Sequence, residues 1–233
     1  MRADSPAARS VLDPQRVSAW EALPWLVAIA VFFLLEEYLS LGTAILVMVL
    51  FTLSLDVLVG YAGIISLGHA VFFGFGAYCA GLLAKAGWNE PFSGLLAAGL
   101  ASGALGALLC FAGLSRLRGL LLMMTTLAIG LIAHEGAKSL KWLTGGDDGL
   151  QGIEIAPVLG TFKWSVYGHT AYLYALGVVF VYFMALRAIM ASPFGLALRG
   201  LRENYGRMQL VGAPVGRHLL RVFALSGFVA GSA

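Results

Sequence analysis

The sequence predicts an all-α fold: a polytopic transmembrane helical bundle of about six complete spans plus a truncated seventh. Three observations lead there. Hydrophobic residues make up 60% of the 233 and charged residues only 12%, against about 25% charged in a soluble domain. The apolar residues run continuously over helix-length stretches instead of alternating, so they read as spanning helices and not as barrel strands. Glycine is abundant, at 30 residues, which suits helices that pack closely in lipid through small residues.

Met1–Glu21 is polar and carries Arg2, Arg9 and Arg16, with no apolar core after Met1. Residues 1–22 therefore read as a tail and not as a signal peptide. A spanning helix needs about 20 mostly apolar residues. On that criterion candidate spans lie at 23–41, 43–60, 64–84, 92–114, 119–137 and 171–190. Glu36 and Glu37 flank the outer end of the first, and Glu135 sits near the outer end of the fifth. Asp56 lies near the cytoplasmic end of the second, where it reads either as the partner of a nearby arginine or as a functional acid. Gly99 and Gly103, extended by Ala107, predict a close helix contact in the fourth without identifying the partner helix.

The longest outer loop, 138–170, contains Thr144-Gly-Gly-Asp-Asp-Gly149, Pro157, Trp164 and Tyr167. Asp147 and Asp148 lack the ligand spacing of a calcium loop and read as a solvated turn. A seventh apolar segment begins near 219 and runs about 15 residues, roughly 22 Å at helical rise, short of the ~30 Å hydrocarbon core. The membrane domain, 23–233, is therefore read as truncated at its C-terminal end. Cys79 and Cys110 fall inside apolar segments and read as small buried hydrophobes, not as a disulfide or metal pair.

Orientation follows from the basic residues. Eleven of the 15 (Arg2, Arg9, Arg16, Arg116, Arg118, Arg187, Arg199, Arg202, Arg207, Arg217, Arg221) fall on one side of the alternating spans. Lys85, Lys138, Lys141 and Lys163 fall on the other. The positive-inside rule makes the first side, and the N-terminus, cytoplasmic. The net charge of +3 is too small to indicate nucleic acid as a partner and reflects this loop distribution. No G-x-S-x-G, H-E-x-x-H or P-loop is present, and His69, His134, His169 and His218 are scattered. An enzyme is not expected, no metal site or cofactor is expected, and any ATP is bound by a separate chain.

Two blocks remain. In Leu55–Tyr78, Gly60 and Gly63 break or bend a helix or form a short re-entry turn. Ser66 and His69, at i and i+3, would share a helix face and line a pathway together with Gly68. The alternative is a short hairpin in which Ser66 caps its own backbone and His69 packs on a neighbouring helix. The second block is the basic stretch within 191–218. Ser192 is an N-cap and Pro193 suits the first turn. Leu198, Leu201 and Tyr205 form an apolar stripe, with Arg199, Arg202 and Glu203 largely on other faces. Gly206 is a point of fraying or kinking, and Gly212-Ala-Pro214 ends the element. Such a helix either docks in a groove of a soluble subunit or lies on the membrane lipid headgroups.

The block GYAGIISLGHAVFFGFGAY, the loop Thr144–Leu150 and the segment SPFGLALRGLRENYGRMQLVG resemble, in that order, the branched-chain amino acid ABC transporter permeases of the LivM type. The likeness runs over about 50–233. It implies a subunit of the bacterial inner membrane working with a second homologous permease, two cytoplasmic ATPase subunits and a periplasmic solute-binding protein. Ser192, Pro193, Gly195, Arg199, Arg202, Glu203, Asn204 and Gly212 stand at the places of the family's ATPase-coupling segment, while Arg207-Met208-Gln209 departs from its usual wording. In that role Arg199 and Arg202 would make the polar contacts with the ATPase, and Leu198, Leu201 and Tyr205 the packing. Branched-chain amino acids are the substrate the resemblance implies, with urea or short amides as the alternative. A non-transporting scaffold that recruits a cytosolic protein is the rival of another class.

Overall fold

The computed structural model describes residues 22–153, 155–157 and 168–233. Arg2, Arg9, Arg16, Lys163, Trp164 and Tyr167 lie outside the described residues, whose regular elements are all helical, with no strand among them. Four helical stretches are long and apolar enough to cross a membrane: Glu36–Tyr61, Pro91–Ala112, Gly119–Ser139 and His169–Ala191. Two apolar helices, Leu23–Leu34 and Ala70–Lys85, are shorter.

The first helix, α1 (Leu23–Leu34), stops before Glu36 and Glu37 instead of continuing to 41. A 3-10 turn, Glu36–Tyr38, follows at once, and α2 (Leu39–Asp56) starts four residues earlier than the sequence suggests. Adjacent carboxylates disfavour helix inside lipid and favour a reversal where they reach water. A π-helical turn, Val57–Tyr61, extends α2. Gly63, at φ 69°, then ends it, and Ile64 N–H closes back on the Leu58 carbonyl at 2.9 Å. The third span therefore begins late: α3 covers Ala70–Lys85, and Ile64–His69 is not helical. The expected i, i+3 helix face for Ser66 and His69 does not exist.

The remaining elements are α4 (Pro91–Ala112), α5 (Gly119–Ser139), the single turn α6 (Lys141–Thr144), α7 (His169–Ala191), α8 (Pro193–Glu203), α9 (Tyr205–Leu210) and α10 (Val215–Gly231). In the loop after α6 Gly145 adopts φ 81° and Thr144 Oγ1 accepts from Gly146 N–H at 3.2 Å. Asp147 pairs with Lys138 at 3.6 Å from within a 3-10 turn. Both cysteines are free thiols, Cys110 buried and Cys79 half-buried.

The segment read as a truncated seventh span is the packing centre. In α10, Val222 and Ala230 are fully buried, and Phe223 and Val229 are 1% exposed. The glycine pair of α4 finds its partner here, within the same chain. A Cβ on Gly103 would come within 3.0 Å of the Ala224 carbonyl oxygen, one on Gly99 within 3.0 Å of the Phe228 ring, and one on Gly106 within 2.5 Å of the Phe223 carbonyl oxygen. From the other side, a Cβ on Gly227 would lie 2.7 Å from the Ser102 carbonyl oxygen. Small residues on both helices bring the two backbones together, so dispersion contacts gain where lipid offers no hydrophobic drive. Ser102 Oγ donates to the Phe72 carbonyl at 3.0 Å and ties α3 to the pair. At the periphery, the Tyr172 hydroxyl donates to the Ala28 carbonyl at 2.8 Å and fixes α7 on α1.

Candidate functional site

The two sequence blocks meet at one end of the bundle. Helices α8 and α9 lie there beside the π-turn 57–61, the segment 62–65 and the turn 114–118.

Local chemistry sets the α8–α9 hairpin. Ser192 Oγ accepts from Phe194 N–H at 3.3 Å and donates to the Ile189 carbonyl at 2.6 Å, with Pro193 in the first turn. This starts a new helix directly after α7. The break comes at Asn204 (φ −156°), two residues before Gly206. Its Oδ1 accepts from Arg207 N–H at 2.9 Å and caps α9. Gly212, at φ 82°, ends α9 in a Schellman arrangement: Gly212 N–H bonds Gln209 O at 3.0 Å and Ala213 N–H bonds Met208 O at 3.1 Å. Ser192, Asn204 and Gly212 thus shape the hairpin. Gly195 is buried, and a Cβ there would fall on the Met190 carbonyl. It permits α8 to fold tightly against the end of α7.

The apolar stripe turns inward. Leu198 is fully buried and Leu201 is 5% exposed. These two residues pack in the chain's own core and are unavailable to an ATPase, which corrects the expectation that they pack against it. The arginines of α8 also face their own chain. Arg202 Nη1 donates to the Gly60 carbonyl, and Arg199 Cζ stands 5.4 Å over the Tyr61 ring. Arg118 stacks on the Tyr205 ring. Gly63 is required at this contact, since a Cβ there would sit 2.8 Å from Arg202 Cγ. Glu203 and Arg207 remain exposed, as does the apolar pair Leu210 (90% exposed) and Val211 (80%) at the tip of α9. A cavity of about 190 Å³ separates α8 from the segment 62–65, with Arg118, Arg202 and Tyr205 in its wall.

Deeper in, His69 is 2% exposed and packs on a neighbouring helix. Ser54 Oγ donates to the Phe51 carbonyl, and Ser226 Oγ donates to the Ser54 carbonyl at 2.6 Å. The 2.8 Å bond between His69 Nε2 and Ser54 Oγ is therefore donated by the imidazole. That tautomer leaves His69 Nδ1 buried and without a partner. The network ties α2, α3 and α10 together. Gly68 lies against the Thr126 carbonyl of α5, and Leu67 N–H donates to Thr126 Oγ1 at 3.1 Å. Ser66 is buried and makes no side-chain hydrogen bond among the described residues, so it does not cap its backbone.

Sequence reasoning passed over Ser54, Ser226 and Thr126. Their signal was available: each is a hydroxyl in an otherwise apolar stretch, and such groups in lipid bond across helices. Among the described residues no cluster of three metal-ligating side chains occurs. The site joins a hairpin with an exposed tip to the buried core, and no convergent catalytic set occurs among the described residues.

The model of the protein family described as branched-chain amino acid transport system / permease component matches residues 37–233. The high-affinity branched-chain amino acid transport system permease protein LivM of Salmonella typhimurium is 29% identical over 215 residues, covering 83% of this chain and 50% of that protein. LivM of Escherichia coli is 28% identical over the same extent. The chain thus spans about half the length of the curated relatives it matches. No solved structure matches it.

Proposed function

The chain belongs to the family of branched-chain amino acid transport system permease components, and from that premise we propose that it is a membrane-spanning subunit of an ABC importer for branched-chain amino acids. It is a transport component and not an enzyme. In this reading separate cytoplasmic ATPases drive it, a second homologous permease completes the pathway and a periplasmic binding protein delivers the substrate. It sits in the bacterial inner membrane as six spans and a seventh, with residues 1–22 and the hairpin at 191–218 on the cytoplasmic side.

The observation that supports this most is the construction of the α8–α9 hairpin. It is capped at Ser192, Asn204 and Gly212, anchored by Leu198 and Leu201, and leaves Leu210, Val211, Glu203 and Arg207 in solvent. A rigid base with an exposed apolar tip suits docking in a protein groove. The charge of the same segment suits the cytoplasmic face. Motion of the hairpin would pass inward through Arg202 and the π-turn, and a packed core switches between discrete arrangements.

Co-purification with the cognate ATPases and ATP-dependent leucine uptake into proteoliposomes with the binding protein test this reading. Capture of the ATPases with uptake above the ATP-free control is expected. Absence of both overturns the transport function.

A further inference from the structure

We propose that Arg202 and Asp56 are a charge latch, in which movement of α8 transfers the guanidinium from the Gly60 carbonyl to the Asp56 carboxylate. This rests on reading α8–α9 as the ATPase-facing hairpin.

Both groups touch the same residue. The Gly60 carbonyl accepts from Arg202 Nη1. The Cα of Gly60 faces Asp56, whose carboxylate occupies the space a Cβ would take. Asp56 is exposed and makes no hydrogen bond or ion pair among the described residues. Arg202 has no acidic partner among them. The guanidinium thus sits on a neutral carbonyl of the same residue whose Cα the unpaired carboxylate covers, and an ionised pair would form a shorter and stronger bond.

The intervening backbone is suited to the exchange. Val57–Tyr61 is a π-turn, with one residue more per hydrogen-bonded ring than α-helix, and such turns occur mostly as single bulges at functional sites. Glycine at 60 lets the carboxylate fold over the backbone, and glycine at 63 lets the stem of Arg202 lie on it. Of the other charges nearby, Arg118 is stacked on Tyr205, Arg199 lies over Tyr61 and Glu203 is exposed. The latch would give the two positions of α8 different contacts with α2, which a ligand-driven switch requires.

The test uses the full chain with its cognate ATPases in proteoliposomes, comparing Asp56→Asn, Arg202→Gln and the double variant. Because Asp56 makes no hydrogen bond or ion pair in the present arrangement, Asp56→Asn should retain ATPase capture and thermal stability while uptake falls about five- to tenfold. The double variant should lose no more than the worse single variant, as members of one pair do. Asp56→Glu should recover at least half of the uptake. Uptake within twofold of wild type in Asp56→Asn, or additive losses, overturns the latch alone. Loss of capture or stability in Asp56→Asn assigns Asp56 a structural role and also overturns it. A wild-type chain that neither captures ATPases nor supports uptake overturns the hairpin reading and the latch together.

Discussion

Gly74 and Gly76 stand two residues apart on α3 in opposite circumstances. A Cβ on Gly74 meets nothing within 4 Å, whereas one on Gly76 would lie 2.5 Å from the Gly231 Cα. Gly74→Ala should stabilise the protein by about 0.5–1 kcal/mol through helix propensity. Gly76→Ala should cost about 1–3 kcal/mol because two backbones must separate. Thermal unfolding in detergent reads both, and equal effects would contradict the α3–α10 contact. The His69 network gives a second prediction. His69→Leu leaves Ser54 Oγ without its donor and should cost about 1–3 kcal/mol, and Ser226→Ala about 0.5–1.5 kcal/mol. The double variant should fall short of the sum, since both touch Ser54.

Among the elements, the α8–α9 hairpin has an inner and an outer face with separable roles. Leu210→Asp with Val211→Asp alters only exposed side chains. Thermal stability should stay within about 0.5 kcal/mol of wild type, while ATPase capture should weaken about tenfold if the tip is the docking surface, as for an interface anchor worth more than 1 kcal/mol. Retained capture would place the docking surface elsewhere. On the inner face, Gly63→Val should act in the other sense. It forces a β-branched residue to φ 69° and onto Arg202, a conformation that costs L-residues about 1–2 kcal/mol. Faster proteolysis within 192–212 should reveal the loosened hairpin.

At the scale of the whole molecule, α10 holds the bundle together. It lies against α4, α3, α2, the π-turn and α8. Phe223→Ala empties a site that is 1% exposed and should cost about 3–5 kcal/mol. That is a large part of the roughly 5–15 kcal/mol that holds a folded domain, so recovery of monodisperse protein from detergent should collapse. A matched substitution on the exposed surface, Phe111→Ala at 81% exposure, should leave recovery unchanged.

Composition and continuous apolar runs determined the helical membrane class, because lipid leaves the backbone few ways to satisfy its hydrogen bonds. Local side-chain chemistry determined the caps at Ser192 and Gly212, since these bonds close within a few residues. The sequence also predicted a close helix contact at Gly99 and Gly103, and singled out the stretches that hold Gly60, Gly63 and Arg202. Only the tertiary structure decided that α10 is the partner of the glycine pair and that Arg202 meets Gly60 and Gly63. It also decided that Leu198 and Leu201 face inward. A periodic stripe specifies that one side of a helix is apolar, whereas the elements that meet that helix, α7, α10 and the distant π-turn among them, are chosen by packing.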